Sequence, residues 1–167
     1  MQKHLSESIH GTLLIGVVGA FAWITGQPFI FPSLGPTAYV MVKAPEKPSH
    51  QSKAVISGHL IGIVAGLIGY HLFAGGVSLG VGFSARSWAI LRIVVSGIFA
   101  MVVTSEFLLW ADIDHAPATA TTLLVALGLL QTLRDGFTIL VAVIVLVIVE
   151  EGVKMAPITL PRRRNDG

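Results

Sequence analysis

The sequence predicts an all-α polytopic membrane protein with four long transmembrane helices and two short or broken membrane segments. Two observations carry this reading. Of 167 residues, 53% are apolar and only 12% charged, with a mean hydropathy of +0.79; a soluble domain carries about 25% charge to face water. The apolar residues are also gathered into six runs separated by short polar stretches.

The first run, Ile9 to Thr25, resembles the apolar core of a secretory signal. It is read as a retained span, because Gly26-Gln27-Pro28-Phe29 is a poor cleavage context and further runs follow. The second, Pro28 to Val42, contains Pro28, Pro32 and Pro36, which cannot share one regular helix. It is expected to be extended from Gln27 to Phe31 and helical from Ser33 to Val42. At about 3.3 Å per extended residue and 1.5 Å per helical one, it reaches across the membrane. Non-helical backbone at that depth must be shielded by protein or line a cavity. The third run, Ala54 to Phe73, and the fourth, Trp88 to Trp110, reach the length of about 20 residues that a spanning helix needs. The fifth, Ala116 to Leu133, and the sixth, Phe137 to Met155, are workable with interfacial ends.

Lys43, Lys47 and Lys53 surround the second loop, and Lys154 and Arg162 to Arg164 lie near the C-terminus. Positive-inside logic places both regions, with Lys3, in the cytoplasm of a cell-membrane protein, and so requires the second run to cross. Arg86 and Arg134 then lie outside. The net charge of +2 sits in these short loops and makes no nucleic-acid face. Absence of cysteine excludes disulfides, thiolate metal sites and cysteine nucleophiles. Residues 1–167 form a single transmembrane domain, with a cytoplasmic tail at 156–167.

Residues 9–73 and 88–155 read as two units of three segments each. Each middle segment opens on proline and small residues: Pro32-Ser33-Leu34-Gly35-Pro36-Thr37-Ala38, then Ala116-Pro117-Ala118-Thr119-Ala120-Thr121. Three crossings per unit make an inverted repeat, and paired interrupted segments are where transporters hold substrate. A helix beginning inside the membrane aims its unpaired N–H groups and positive dipole end at whatever lies ahead. Two such starts make an anion site. The candidate substrate-binding residues are Ser33, Gly35, Thr37, His115, Pro117, Thr119 and Thr121. The plain alternative for each hydroxyl is helix capping.

His59, Arg92 and Glu106 are the candidate electrostatic or proton-linked groups. Glu106 is a carboxylate within an apolar run, Arg92 either snorkels or guides anions, and His59 adjoins a glycine face. That face, Gly58, Gly62 and Gly66 with Gly69 next, permits close approach of another helix, within the subunit or in a homo-oligomer. Asp112 and Asp114 read as capping or interfacial, His71 as structural, and Glu150 and Glu151 as interfacial. Asp112-Ile113-Asp114-His115 has no second ligand cluster, so neither metal nor cofactor is expected. No His-Glu-x-x-His or Gly-x-Ser-x-Gly pattern supports an enzyme. The glycine-rich stretch from Gly75 to Gly82 lacks a Gly-Lys-Ser/Thr ending and reads as a connector.

His115-Ala116-Pro117-Ala118-Thr119-Ala120-Thr121 after a long apolar helix resembles the motif for which the HPP family of small membrane proteins is named. The segment Pro32 to Ala38, the loop from Pro48 to Lys53, and Gly58-His59 in the next helix extend the resemblance over most of the chain. Ala116 replaces the motif's middle proline, and Gln51-Ser52-Lys53 stands where Gln-Pro-Arg is usual. The resemblance implies a transporter usually described with four transmembrane helices, some plant and cyanobacterial members being linked to nitrite. Four long helices plus two broken segments reconcile that description with six runs. The expectation is therefore a membrane transporter of a small inorganic anion, channel or carrier, nitrite being the named candidate. The alternative is a non-transporting membrane subunit or scaffold acting through a partner protein.

Overall fold

The computed structural model describes residues 2–80, 82 and 84–155. The tail at 156–167, with its three arginines, lies outside the described residues, as does the Lys3 side chain. Those described form six α-helices and no strand. They are α1 (Gln2–Thr25), α2 (Leu34–Lys43), α3 (Ser52–Gly69), α4 (Trp88–Trp110), α5 (Pro117–Ala126) and α6 (Leu133–Met155). A single π-helical turn, Tyr70–Ala74, prolongs α3. Four elements are long and apolar enough to cross a membrane: α1, α3 with its π turn, α4 and α6. The chain is an integral membrane protein of the expected architecture, four long helices and two short ones.

Several boundaries differ from the sequence reading. Helix α1 begins at Gln2 rather than Ile9, because polar residues at a bundle end are as good helix formers as apolar ones. Helix α6 begins at Leu133 rather than Phe137 for a similar reason: Thr132 and Asp135 bond reciprocally, Thr132 N–H to Asp135 Oδ2 at 2.9 Å and Asp135 N–H to Thr132 Oγ1 at 3.1 Å. The fifth run is helical only over ten residues, Pro117–Ala126. Gly128 stops it at φ +74, where a Cβ would also meet Val77 O at 2.5 Å. In the second segment the short helix runs from Leu34 to Lys43, one residue later than expected at each end.

Side-chain pairs fix the direction of each element. His10 of α1 meets Glu150 of α6 at 2.8 Å, and Gln27 just past α1 accepts from Arg134 near the start of α6 at 3.2 Å. Helices α1 and α6 therefore run antiparallel. Ser52 at the start of α3 donates to Glu151 near the end of α6 at 2.9 Å, and Gly136 faces Ile63. Ser96 of α4 donates to Ala126 O at 2.7 Å, and Thr104 pairs with Thr122 at 2.9 Å, so α4 opposes α5. Gly58, Gly62 and Gly66 of α3 lie in turn beside His115, Ala118 and Val125, so α3 and α5 run parallel. Residues 26–43 travel from the Arg134 end past His59 to the Ser52 end, partly extended and partly helical. The second segment thus runs the length of the bundle. The start of α1, the 43–52 loop and the end of α6 lie at one end; Gly75 to Gly80 and the start of α4 lie at the other.

The core is aliphatic, with Leu14, Leu34, Met41, Val55, Ile139 and Leu146 buried between α1, α2, α3 and α6. The glycine face is used inside the subunit. A Cβ at Gly62 would lie 2.7 Å from Ala118 O and 2.9 Å from Thr122 Oγ1; one at Gly66 would lie 2.7 Å from Val125 Cβ. Without side chains at 58, 62 and 66, α5 rests almost on the backbone of α3.

Two outcomes follow. Gly62→Leu should disrupt folding, and Gly62→Ala should cost on the order of 1–3 kcal/mol. Gly16→Leu on the open face of α1, with nothing within 4 Å of its Cβ, should be tolerated. Size-exclusion profiles and thermal midpoints in detergent compare the three, and a stable, monodisperse Gly62→Leu would refute the close packing. For direction, Glu46→Cys and Ser78→Cys should react with an impermeant maleimide from opposite faces of a vesicle. Labelling of both from one face is incompatible with the bundle described.

Candidate functional site

The site is built around His59, fully buried on α3. It lies seven residues past Ser52, about 10 Å along the helix axis. Both ring nitrogens are engaged. Nδ1 lies 2.7 Å from Thr121 Oγ1 on α5, and Nε2 lies 2.9 Å from Thr37 Oγ1 on α2. His115, on the turn leading into α5, brings its Nε2 to 3.3 Å from His59 Nε2, with the rings edge to face at 5.1 Å. One imidazole thus ties the first turn of α2 to the second turn of α5 and to the turn that precedes it.

Local sequence explains this placement. Helix α2 cannot start earlier, because Pro28 and Pro32 leave the chain extended or in a turn until Phe31 O accepts from Leu34 N–H at 3.0 Å. Pro36 is tolerated in its first turn, where a helix needs no N–H donor. Helix α5 starts with Pro117 at its first position for the same reason. Its approach is a turn with Asp112 at φ +53 and Ile113 N–H donating to Leu108 O at 2.8 Å, which drops His115 inside the bundle. From their starts, α2 runs toward the Ser52 end and α5 toward the other end. Two positive dipole ends therefore converge on one buried point.

The backbone donors at these starts are mostly occupied, unlike the expectation of free N–H groups. Thr37 N–H donates to Ser33 O at 3.3 Å, Ala118 N–H to His115 O at 3.1 Å and Thr119 N–H to Ala116 O at 3.0 Å. Pro36 and Pro117 have none to give. In α5 three-residue bonds tighten the first turn and satisfy these groups internally, and in α2 the Thr37 bond is an ordinary four-residue one. What the starts offer a ligand is their dipole and side chains. Ser33 is fully buried, and its hydroxyl, enclosed at the start of α2, has no hydrogen-bond partner. An unpartnered hydroxyl is costly in an apolar interior and marks a place for a further polar group.

The structure sorts the sequence candidates. Thr37, His115 and Thr121 are buried against His59; Ser33, whose carbonyl accepts from Thr37, and Pro117, two residues past His115, are buried beside those partners. Gly35 and Thr119 share those helix starts but turn away; Gly35 is exposed, and Thr119 Oγ1 returns its hydrogen to Ala116 O at 2.8 Å. Arg92 stands about 20 Å from His59 along α3. There its Nε donates to Phe73 O at 2.9 Å and its Nη2 to Gly75 O at 3.1 Å, closing the carbonyl end of the π turn. Glu106 is exposed on the outer side of α4. Sequence reasoning missed three polar pairings. They are Thr104 with Thr122, Ser96 with Ala126 O, and His10 with Glu150, which also lies 3.7 Å from Lys154 Nζ. Ser96 carried a signal as a lone polar residue in an apolar run, and Thr104 as the first of the polar stretch Thr104-Ser105-Glu106; His10 and Glu150 gave none beyond their proximity to segment ends.

His59 and His115 are two nitrogen ligands within reach of one another. Among the described residues no third His, Cys, Asp or Glu completes a metal-binding group with them. Hydroxyls and imidazoles instead suit a small polar guest able to accept hydrogen bonds. An open apolar groove between α4 and α5, lined by Val94, Gly97, Ile98, Met101, Val102, Leu123 and Leu127, contains none of the cluster residues and has the chemistry of a lipid-facing surface. Residues 1–163 match the family model described as HPP, transmembrane region. No curated protein and no solved structure matches the chain.

The unpartnered hydroxyl separates ligand binding from structural roles. Ser33→Ala should leave thermal stability unchanged or slightly higher, since no bond is lost. Thr37→Val should cost roughly 1–3 kcal/mol, because it removes the bond to Ser33 O and strands His59 Nε2. Differential scanning fluorimetry in detergent compares them; equal losses would mean that Ser33 has a structural partner.

Proposed function

The chain belongs to the HPP transmembrane family, and from that premise we propose that it carries a small inorganic anion, nitrite foremost, across the cell membrane. The anion is held where α2 and α5 begin. The observation supporting this is the meeting of two half-length helix starts at His59, with the buried Ser33 hydroxyl still lacking a partner. A membrane scaffold has no need of a buried polar cluster at a break in two helices. In an apolar bundle such a cluster is expensive unless it is used.

On this reading the chain is a carrier and not an enzyme. Two dipole ends and a few hydroxyls bind weakly, about 0.3–2 kcal/mol per helix end, which suits a cargo that must be released. Segments 9–73 and 88–155 act as inverted halves around the site, α2 belonging to one and α5 to the other. Lys43, Lys47, Lys53 and Lys154 share one end of the bundle, supporting a cytoplasmic position for the termini and the 43–53 loop.

Flux tests the reading directly. Purified protein in liposomes should take up nitrite faster than protein-free vesicles. His115→Ala and Thr37→Val should lower that flux without preventing membrane insertion, and Ser33→Ala should weaken apparent affinity several-fold at little cost in stability. Wild-type rates in all three variants would place the site elsewhere and remove the main support for an anion carrier.

A further inference from the structure

Resting on the carrier reading, we infer that the site takes up one proton with each anion, the proton on His59 and the coupling made by the hydroxyl of Thr121. The hydrogen bonds define the resting state. Thr37 Oγ1 donates its only hydrogen to Ser33 O at 2.9 Å, so toward His59 Nε2 it is an acceptor. His59 therefore carries its hydrogen on Nε2, shared between Thr37 Oγ1 and the Nε2 of His115. Its Nδ1 is a lone pair, and Thr121 Oγ1 donates to it at 2.7 Å. In this state the Thr121 hydrogen is spent on the imidazole.

A proton arriving at His59 Nδ1 forms an N–H bond and reverses that contact. The ring now donates to Thr121 Oγ1, and the Thr121 hydroxyl hydrogen, still on its oxygen, must turn to another acceptor. The other bonds persist, since Nε2–H remains where it was. Ser33 holds a second unspent hydroxyl hydrogen at the start of α2. An anion bound at these starts supplies the acceptor that both need. The charges make the two events interdependent. An imidazolium here faces the positive ends of two helices, and the hydrogen-bond partners of His59 are Thr37, Thr121 and His115, none acidic. An anion alone would leave water for a site with no full positive charge. Proton and anion together are neutral, and each removes the obstacle to the other.

His115 sets the stoichiometry. With the two Nε2 atoms 3.3 Å apart, a second proton would create two adjacent imidazoliums, which like-charge repulsion forbids. One proton therefore accompanies one monovalent anion, and the cycle moves no net charge. The proton leaves His59 on the far side as the anion departs, and the Thr121 hydroxyl returns to Nδ1.

The test uses the full chain in liposomes with nitrite as the probe, a trapped pH dye, and membrane potential clamped by potassium and valinomycin, with the leak of protein-free vesicles subtracted. Wild type and Thr121→Ser, which keeps the hydroxyl, should acidify the lumen by one proton per nitrite at a rate independent of potential. Thr121→Val should take up nitrite more slowly with a proton-to-nitrite ratio well below one. Should that variant not fold, the wild-type ratio and its independence of potential decide by themselves. Nitrite entry that carries current and no protons overturns the coupling and leaves the carrier standing. An unchanged ratio in a folded Thr121→Val overturns the role given to that hydroxyl. No protein-dependent flux of nitrite, nitrate, chloride or formate overturns the carrier reading and the coupling with it.

Discussion

The closeness of α5 to α3 is the constraint on which the rest of this structure depends. A helix of ten residues is too short to be stable through its own backbone bonds, and its order must come from its neighbours. Gly58, Gly62 and Gly66 supply that order by letting backbone meet backbone: a Cβ at Gly62 would stand 2.7 Å from Ala118 O. Because α5 lies so near, Thr121 and His115 reach His59, while on its other side α5 brings Thr122 to Thr104 of α4. A wider spacing would remove the hydrogen bonds of His59 to α5 and to the turn before it. The glycine face therefore positions the candidate site as well as the fold.

Within an apolar bundle, each polar group needs a partner from the protein. Two partly polar ends bracket the cluster here. At one, His10, Glu150 and Lys154 tie α1 to α6. At the other, Arg92 occupies two carbonyls released where α3 widens into its π turn, and Tyr70 donates to Gln131 while accepting from Gly76 N–H. Between them, Ser96 and Thr104 give their hydroxyls to α5. Among the described residues the buried His10 Nε2 and Glu150 Oε2 answer each other as an ion pair, whereas the buried Ser33 hydroxyl has no partner, and it sits at the start of α2, one residue before the helix that presents Thr37 to His59. That open hydroxyl is the feature on which the proposal of a ligand at this place rests.

The order of elements also alternates direction through the bundle. The chain travels away from the Ser52 end in α1, back through 26–43, and away again in α3; α4, α5 and α6 reverse each of these directions. The two short helices are equal in length but enter differently. An extended stretch leads into α2, whereas α5 follows a tight turn held by Ile113 N–H and Leu108 O. Their starts meet because each is delayed by proline until the chain is already inside the bundle.

The sequence by itself determined that the chain is helical and membrane-embedded, that four helices are long, and that two segments are broken near proline and small residues. Hydrocarbon permits few backbone solutions, and proline and apolar run length are local signals of them. The same local signals singled out Ser33, Thr37, His115 and Thr121, together with His59 beside its glycines. Only the tertiary structure decided that His59 is the centre, because its three partners lie 22, 56 and 62 residues away in the chain. It also decided that Arg92 and Glu106 stand apart from the cluster and that the glycine face is spent inside the subunit. Hydrogen bonding between distant helices depends on their depth and rotation, and those are set by packing across the whole bundle rather than by any one segment.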